Sequence, residues 1–520
     1  MDDLEGRSPD ACSVVAVSQR LTLRCEPFAQ LANCIHEASC VPDGSSAQPC
    51  DQVRYLASYL AHVELSAKTI LIEHPYVDRH WLEEYAGYYA SVLEPPSPKA
   101  TRFHFFDQQW TLDEFMEQLA VAMAGDGGKA MAMHYLGFSV IRPLAAAPIG
   151  RTVLRTYRGI AERCFAPAAL THRVHLAGLT IELDGIPFQQ QDQGVAACAT
   201  TAVWSALTKV IRTDGGRAPT PFSVTIAATE HRVQARAFPA LAGLDLDQMA
   251  TAIHAFGYQP HVFQQAGAAD DFFLALKTYL RSGIPVIVRA RVVDGDLHAL
   301  TLVGFREQVR GTSDARGDLE IGHGGRTRLR ARGIERWYAH DDRLGPYARL
   351  GFVSEGAQRP TQLKLLPAET GFEHLETPMV FSDAIVPLYP KLRLTAEELV
   401  GFGVDLSPTI RFLAREEDNL YVDPRFLLGG DYLRSLHGKP MDLERIVAIC
   451  TTLTLSRYVG VISWFRGDEW LVDAVYDTTD LRRGDSSRPP LLALVPRNPH
   501  WISPLEQIRA ARFGDGPLIA

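Results

Sequence analysis

This chain of 520 residues has no apolar run approaching the roughly 18 residues that a membrane-crossing helix requires, and candidates such as Ile284–Val288 are only of strand length. The opening MDDLEGRSPDAC lacks a basic start, an apolar stretch and a small-residue cleavage site, so no secretory signal is expected. A cytoplasmic location and no membrane partner are the resulting expectations. Charge of one sign is not in large excess either. The 52 basic and 61 acidic residues leave a net charge of −9, which provides no electrostatic basis for a nucleic-acid partner. Cysteine is scarce: Cys12, Cys25, Cys34, Cys40 and Cys50 lie near the start, and Cys164, Cys198 and Cys450 follow. With no leader, that distribution is poor ground for a disulfide framework. The cluster Cys34, His36, Cys40 and Cys50 matches no common zinc spacing and contains no CxxC pair, so free thiols and no metal are expected there. Repeats of 20–50 residues and heptads are also missing, which excludes solenoids and coiled coils.

What is present reads as several domains of α+β type. Residues 1–50 read as an irregular arm with a Pro/Asp/Gly/Ser stretch at Pro42–Ser46. Residues 51–165 form an α+β region of unassigned function. Its apolar residues Tyr55, Leu56, Tyr59, Leu60 and Val63 recur at helical spacing, and short strand-like runs lie at Thr69–Ile72, Arg102–Phe106 and Tyr135–Pro143. Helices are expected at Trp81–Val92 and Leu112–Met123, and the aromatic stripe Trp81, Tyr85, Tyr88, Tyr89 reads as core packing. Residues 166–355 carry the chemistry, and a Pro-containing stretch from Pro360 to Pro390 reads as a junction to a further α+β region, 356–520.

Three segments combine into a chemical site. In the first, a polar loop Gln189-Gln-Gln191-Asp192-Gln193-Gly194 runs into Cys198, after which Val203, Leu207 and Val210 mark the buried face of a helix. Cys198 is thereby expected at a helix N-terminus, where unpaired backbone N–H groups and the dipole favour a thiolate. In the second, Gly283-Ile-Pro-Val and Leu297-His298-Ala-Leu-Thr-Leu-Val-Gly304 read as strands, with His298 at the sheet edge. In the third, Trp337-Tyr-Ala-His340-Asp341-Asp342 ends a strand in two carboxylates before a Gly-Pro turn, where an aspartate can accept the second N–H of a histidine. Taken singly these are a buried thiol, a structural histidine and turn chemistry; Cys164 and Cys450, without such company, read as buried thiols.

In their order, these segments resemble the papain-like cysteine peptidases, and most closely the branch of bacteriocin-processing peptidases that cut after double-glycine leaders, with its stand-alone bacterial relatives. The resemblance covers about 170 residues and implies an α+β papain-like core with a cysteine helix on a mostly antiparallel sheet. It further implies Cys198 as nucleophile, His298 as base and Asp341 as the orienting acid, with Asp342 as the fallback. The family glutamine of the oxyanion hole stands six residues before the cysteine. Here that position is Asp192, leaving Gln191 as the preferred donor and Gln193 as the fallback. The implied reaction is thioester-mediated cleavage of a peptide or isopeptide bond in a protein or peptide substrate, without cofactor. The same residues also suit a transamidase, or a papain-like fold retained only for binding. Finally, Glu307–Gly333, with six arginines following Arg306, is expected to loop out between the histidine and aspartate strands. It reads as either a border of the active site that attracts acidic substrate or a solvated hairpin.

Overall fold

The structure is a computed structural model, and it describes residues 21–39, 49–125, 128–157, 163–165, 170–192, 194–195, 197–230, 243–265, 269–292, 297–308, 318–323, 327–353, 362–366, 378–415, 420–479, 490–512 and 518–519. The fold is α+β, and all but one of its strand pairings are antiparallel. Among the described residues, no helix is long and apolar enough to cross a membrane.

The first sheet is a five-stranded meander of Thr22–Pro27, Thr69–Tyr76, Ala100–Phe106, Tyr135–Ile141 and Ile149–Leu154. Its middle strands are buried on both faces, and the period of two divides their side chains between two cores. Ile70 and Ile72 face the core shared with helix Asp51–Ala61 and the chemical region, whereas Leu71 faces a second core closed by the hairpin Thr171–Leu176/Leu179–Asp184. The reading of residues 1–50 as an irregular arm is corrected here. Thr22–Pro27 pairs along the edge of the sheet, and Leu31–Ala38 is a helix. The strand escapes a pattern search because an edge position leaves its side chains half exposed and its alternation weak.

Six strands close into a ring: Val286–Val292, Leu297–Glu307, Ile334–Asp341, Gly345–Phe352, Gln362–Leu366 and Met379–Leu388. The last pairs back onto the first, with Ile287 opposite Ile385. The sheet therefore does not stop at residue 355, and the stretch read as a junction supplies its two closing strands. The cysteine helix, Cys198–Thr213, packs against the histidine strand of this ring, and its Val203, Trp204, Leu207 and Val210 are fully buried. Each such side chain contributes about 1.5–3 kcal/mol at most. Thr301 on the histidine strand donates to the Ala202 carbonyl at 2.9 Å and sets the helix against the strand.

The C-terminal sheet, Leu420–Leu428, Tyr458–Arg466, Glu469–Asp477, Leu491–Pro496 and Leu518–Ile519, carries helix Ala396–Ala414 on one face and helices Gly429–Leu436 and Leu443–Thr452 on the other.

Candidate active site

Cys198 is the first residue of its helix. The N-cap is Ala197, in extended conformation, and among the described residues no side chain caps the helix, an end where first-turn N–H groups favour an anion. The approach to the helix is fixed by Asp192, whose Oδ1 accepts from the backbone N–H groups of Gly194 at 2.8 Å and Val195 at 2.6 Å. The Thr225 hydroxyl holds the Val195 carbonyl at 2.8 Å, and Ser205 holds that of Pro187 at 2.8 Å. Gly194 is required by close approach, since a Cβ there would lie 2.6 Å from the Tyr88 ring.

His298 and Asp341 sit at the same end of neighbouring antiparallel strands. The His298 ring is buried, and its Nε2 lies 2.9 Å from Asp341 Oδ1 and 3.6 Å from Asp342 Oδ1. With Nε2 so engaged, Nδ1 is the nitrogen left to meet the Cys198 thiol, which lies against the ring and helps to hold its proton. Burial opposes the charged ring, but Asp341 and Asp342 outweigh it and raise the imidazole to about 10. Asp341 is fully buried and also accepts from Arg343, through its backbone N–H at 3.0 Å, Nε at 3.2 Å and Nη2 at 3.0 Å. Burial would raise this carboxyl; His298 and Arg343 instead hold it far below the usual range. Asp342 is raised, chiefly by burial and then by the charge of Asp341, and its Oδ2 has no hydrogen-bond partner among the described residues. The oxygen and nitrogen atoms of His298, Asp341 and Asp342 are close enough together to hold a metal ion. Arg343 already supplies a cation to the most exposed-to-charge member, Asp341, which makes the group a poor cation site.

The structure thus brings Cys198, His298 and Asp341 together, with Asp342 beside them. Gln193 lies outside the described residues. Gln191 is half buried, and it is Gln189 that lines the small cavity between the cysteine helix and the strands, with Cys198, Thr301, His340 and Asp342. The position of the family glutamine holds Asp192, which acts as a loop clamp. His340 is buried, and burial lowers it to about 3, so its ring is neutral.

Residues that sequence reasoning missed hold this site from the N-terminal region. The buried Arg142 donates from one nitrogen to Glu84 and Asp192, both at 3.1 Å, and from another to the Gln190 carbonyl at 3.0 Å. Gln189 donates to Glu84 at 2.6 Å. Glu84 rises to about 7 through burial, against the pull of Arg142. On the other side, Gln52 donates to the Asp342 carbonyl at 2.9 Å, and Tyr55 packs so closely on Gly345 that a Cβ there would lie 2.3 Å from its ring. Only Arg343, two residues after Asp341, left a local signal. The partners in the Glu84–Arg142–Asp192 cluster are about 50 residues apart and left none.

Of the two readings of the arginine-rich stretch, the border of the active site is corrected and a hairpin is found. His298 opens its strand and Glu307 closes it, so the connection to Gly333 leaves from the end opposite the site, on the order of 30 Å away at strand rise. Its described part is a hairpin, Leu319–His323/Thr327–Ala331, with Leu319, Ile321, Leu329 and Ala331 buried. Arg306 pairs with Glu335 at 3.1 Å, Arg330 with Glu320 at 3.3 Å and Arg332 with Asp468 at 3.0 Å. Arg310, Arg316 and Arg326 fall outside the described residues. Near the chain start, Cys40 does too, and the metal-ligating groups among the described residues do not include Cys34, His36 or Cys50.

A comparison with protein-family models finds no family that matches the chain, and a comparison with curated proteins finds no match.

Proposed function

We propose that the chain is a papain-like cysteine peptidase, with Cys198, His298 and Asp341 as its catalytic triad. The observation that carries this reading is a buried, charge-stabilised imidazole between a carboxylate and a thiol at an uncapped helix N-terminus. Because His298 holds its proton at neutral pH, it serves first as the partner of a thiolate and then as the acid that protonates the leaving amine. The sulfur attacks the amide carbonyl, and the C–N bond breaks as the proton moves from the ring to nitrogen. Water, deprotonated by the now neutral ring, attacks the thioester carbonyl, and the C–S bond breaks to free the carboxyl product and restore the thiolate beside the protonated ring. The oxyanion is assigned to the Cys198 backbone N–H; Gln189 lines the same cavity, but its amide already donates to Glu84. Asp341 fixes the ring tautomer, and Arg343 fixes Asp341. The reading needs no metal or organic cofactor and takes a protein or peptide as substrate.

The test is incubation with a peptide library, followed by mass spectrometric detection of new termini. Cleavage at a recurrent motif by the native chain, lost in both Cys198→Ala and His298→Ala, is expected. Transfer of the acyl group to an added amine in place of water would make the enzyme a transamidase. No Cys198-dependent product of either kind would leave a binding fold.

A further inference from the structure

Two neighbouring cavities, of about 730 and 390 Å³, open where the first sheet, the hairpin Thr171–Leu176/Leu179–Asp184 and the cysteine helix meet. They share Arg151, His172 and Arg212 and form one cleft in a size range typical of small-molecule sites. Arg212 stands near the C-terminal end of the cysteine helix, about 21 Å of helix rise from Cys198, so the cleft is not where the peptide bond would be cut.

Its lining is cationic. Arg102, Arg151 and Arg173 line the larger part and Arg79 and Arg217 the smaller, while Glu182 is the acid among the lining residues. Four of these cations have acidic partners: Arg102 with Glu73 at 2.6 Å, Arg151 with Asp78 at 2.7 Å, Arg79 with Glu83 at 3.6 Å and Arg173 with Glu182 at 3.5 Å. Arg212 and Arg217 have no ion-pair partner among the described residues, and both are exposed at the mouth. Aromatic faces hold two of the guanidinium groups in place, Arg102 at 4.2 Å from the Tyr76 ring centre and Arg151 at 5.2 Å from that of Phe138.

Two histidines report the local field. His172 is lowered to about 4 by burial and then by Arg151 and Arg212. His80 is lowered to about 3, chiefly by burial and against the pull of Asp78, with Arg151 and Arg79 adding to the depression. His80 lines the smaller cavity, is only 7% exposed, and its Nδ1 has no hydrogen-bond partner among the described residues.

We infer that this cleft binds a small anion bearing two or more phosphate groups, with Arg212 and Arg217 as its principal charge partners. Planar guanidinium groups recognise phosphate oxygens in pairs, and a cleft of this volume suits a compact anion. The inference is independent of the peptidase reading.

The test uses the full chain and isothermal titration calorimetry at low and moderate salt, with tripolyphosphate and a nucleoside triphosphate as free probes. Vesicles carrying a polyphosphorylated lipid headgroup, compared with vesicles of the neutral lipid alone, form the membrane arm. Saturable binding of a free probe or of the headgroup vesicles is expected. It should weaken at least about tenfold in Arg212→Gln/Arg217→Gln and recover in part in Arg212→Lys/Arg217→Lys. Both positions are exposed, so folding should not be at stake, and unchanged thermal melting of the ligand-free variants checks it. The proposal is overturned if no phosphate probe binds, if a glutamate-rich peptide binds and the phosphates do not, or if the glutamine pair leaves the affinities unchanged.

Discussion

The replacement Asp341→Asn tests how the histidine is held. In the folded chain His298 stands at about 10 against an ordinary 6.5, although burial alone would have lowered it. That difference corresponds to on the order of 5 kcal/mol favouring the protonated ring. The sign follows directly. A group raised on folding contributes stability that is fully present below pH 6.5 and is lost as pH rises through 10. Between those limits the slope is about 1.4 kcal/mol per pH unit. Asparagine removes the nearer negative charge and leaves Asp342 at 3.6 Å from the ring. The imidazole should then titrate roughly two pH units lower, within the range that one adjacent charge commands. Two assays read this. Histidine ring nitrogen shifts should show His298 protonated at pH 7.5 in the native chain, with a midpoint that falls in the variant. Urea denaturation at pH 7, 8 and 9 should show native stability declining with a component that Asp341→Asn reduces. A native ring that is neutral at pH 7.5, or a midpoint unmoved by the substitution, would refute this electrostatic reasoning.

Asp342→Asn should have a smaller effect on the same midpoint, because that carboxylate is the farther one from the ring, and equal effects would show the two aspartates sharing the role. Arg142→Met should destabilise the fold by about 3–5 kcal/mol in urea titration, since it strands the buried Glu84 and Asp192 without their cation. A loss below about 1 kcal/mol would mean that those carboxyls protonate at little cost. Gly194→Ala, whose Cβ would lie 2.6 Å from Tyr88, should slow modification of Cys198 more than it lowers the melting temperature. The reverse pattern would show the loop to be a structural support without influence on the thiol.

Much of the site was legible because its parts carry local signals. The cysteine helix shows in Val203, Leu207 and Val210, and the histidine strand in its apolar run. The carboxylate pair at a strand end shows in Asp341-Asp342. What the sequence could not show is long-range closure. The pairing of Met379–Leu388 onto Val286–Val292 joins residues about a hundred apart, and the prolines near it mimic a linker. The arginine hairpin is a different case. Leu319, Ile321, Leu329 and Ala331 alternate as a half-buried hairpin should, and the dense charge around them masks that alternation. Its position follows from strand direction: an eleven-residue strand carries its two ends far apart. No glutamine stands at the family spacing: Asp192 occupies that position, held by turn geometry and Arg142, and Gln189, which lines the cavity beside Cys198, donates to Glu84. Contacts such as Gln52 to Asp342 join regions that read as separate domains, so the N-terminal region is a support for the site as well as a neighbour.

The most direct measurement is the rate at which iodoacetamide modifies each cysteine of the folded chain at neutral pH, resolved by site with mass spectrometry. Cys198 should react fastest. Burial raises Cys25 to about 11 and also raises Cys34 and Cys164, which disfavours their thiolates. His298→Ala should slow Cys198 by at least about tenfold while leaving the other sites unchanged. A Cys198 that reacts no faster than its neighbours, or that keeps its rate without His298, would contradict the assignment of this pair as nucleophile and proton carrier.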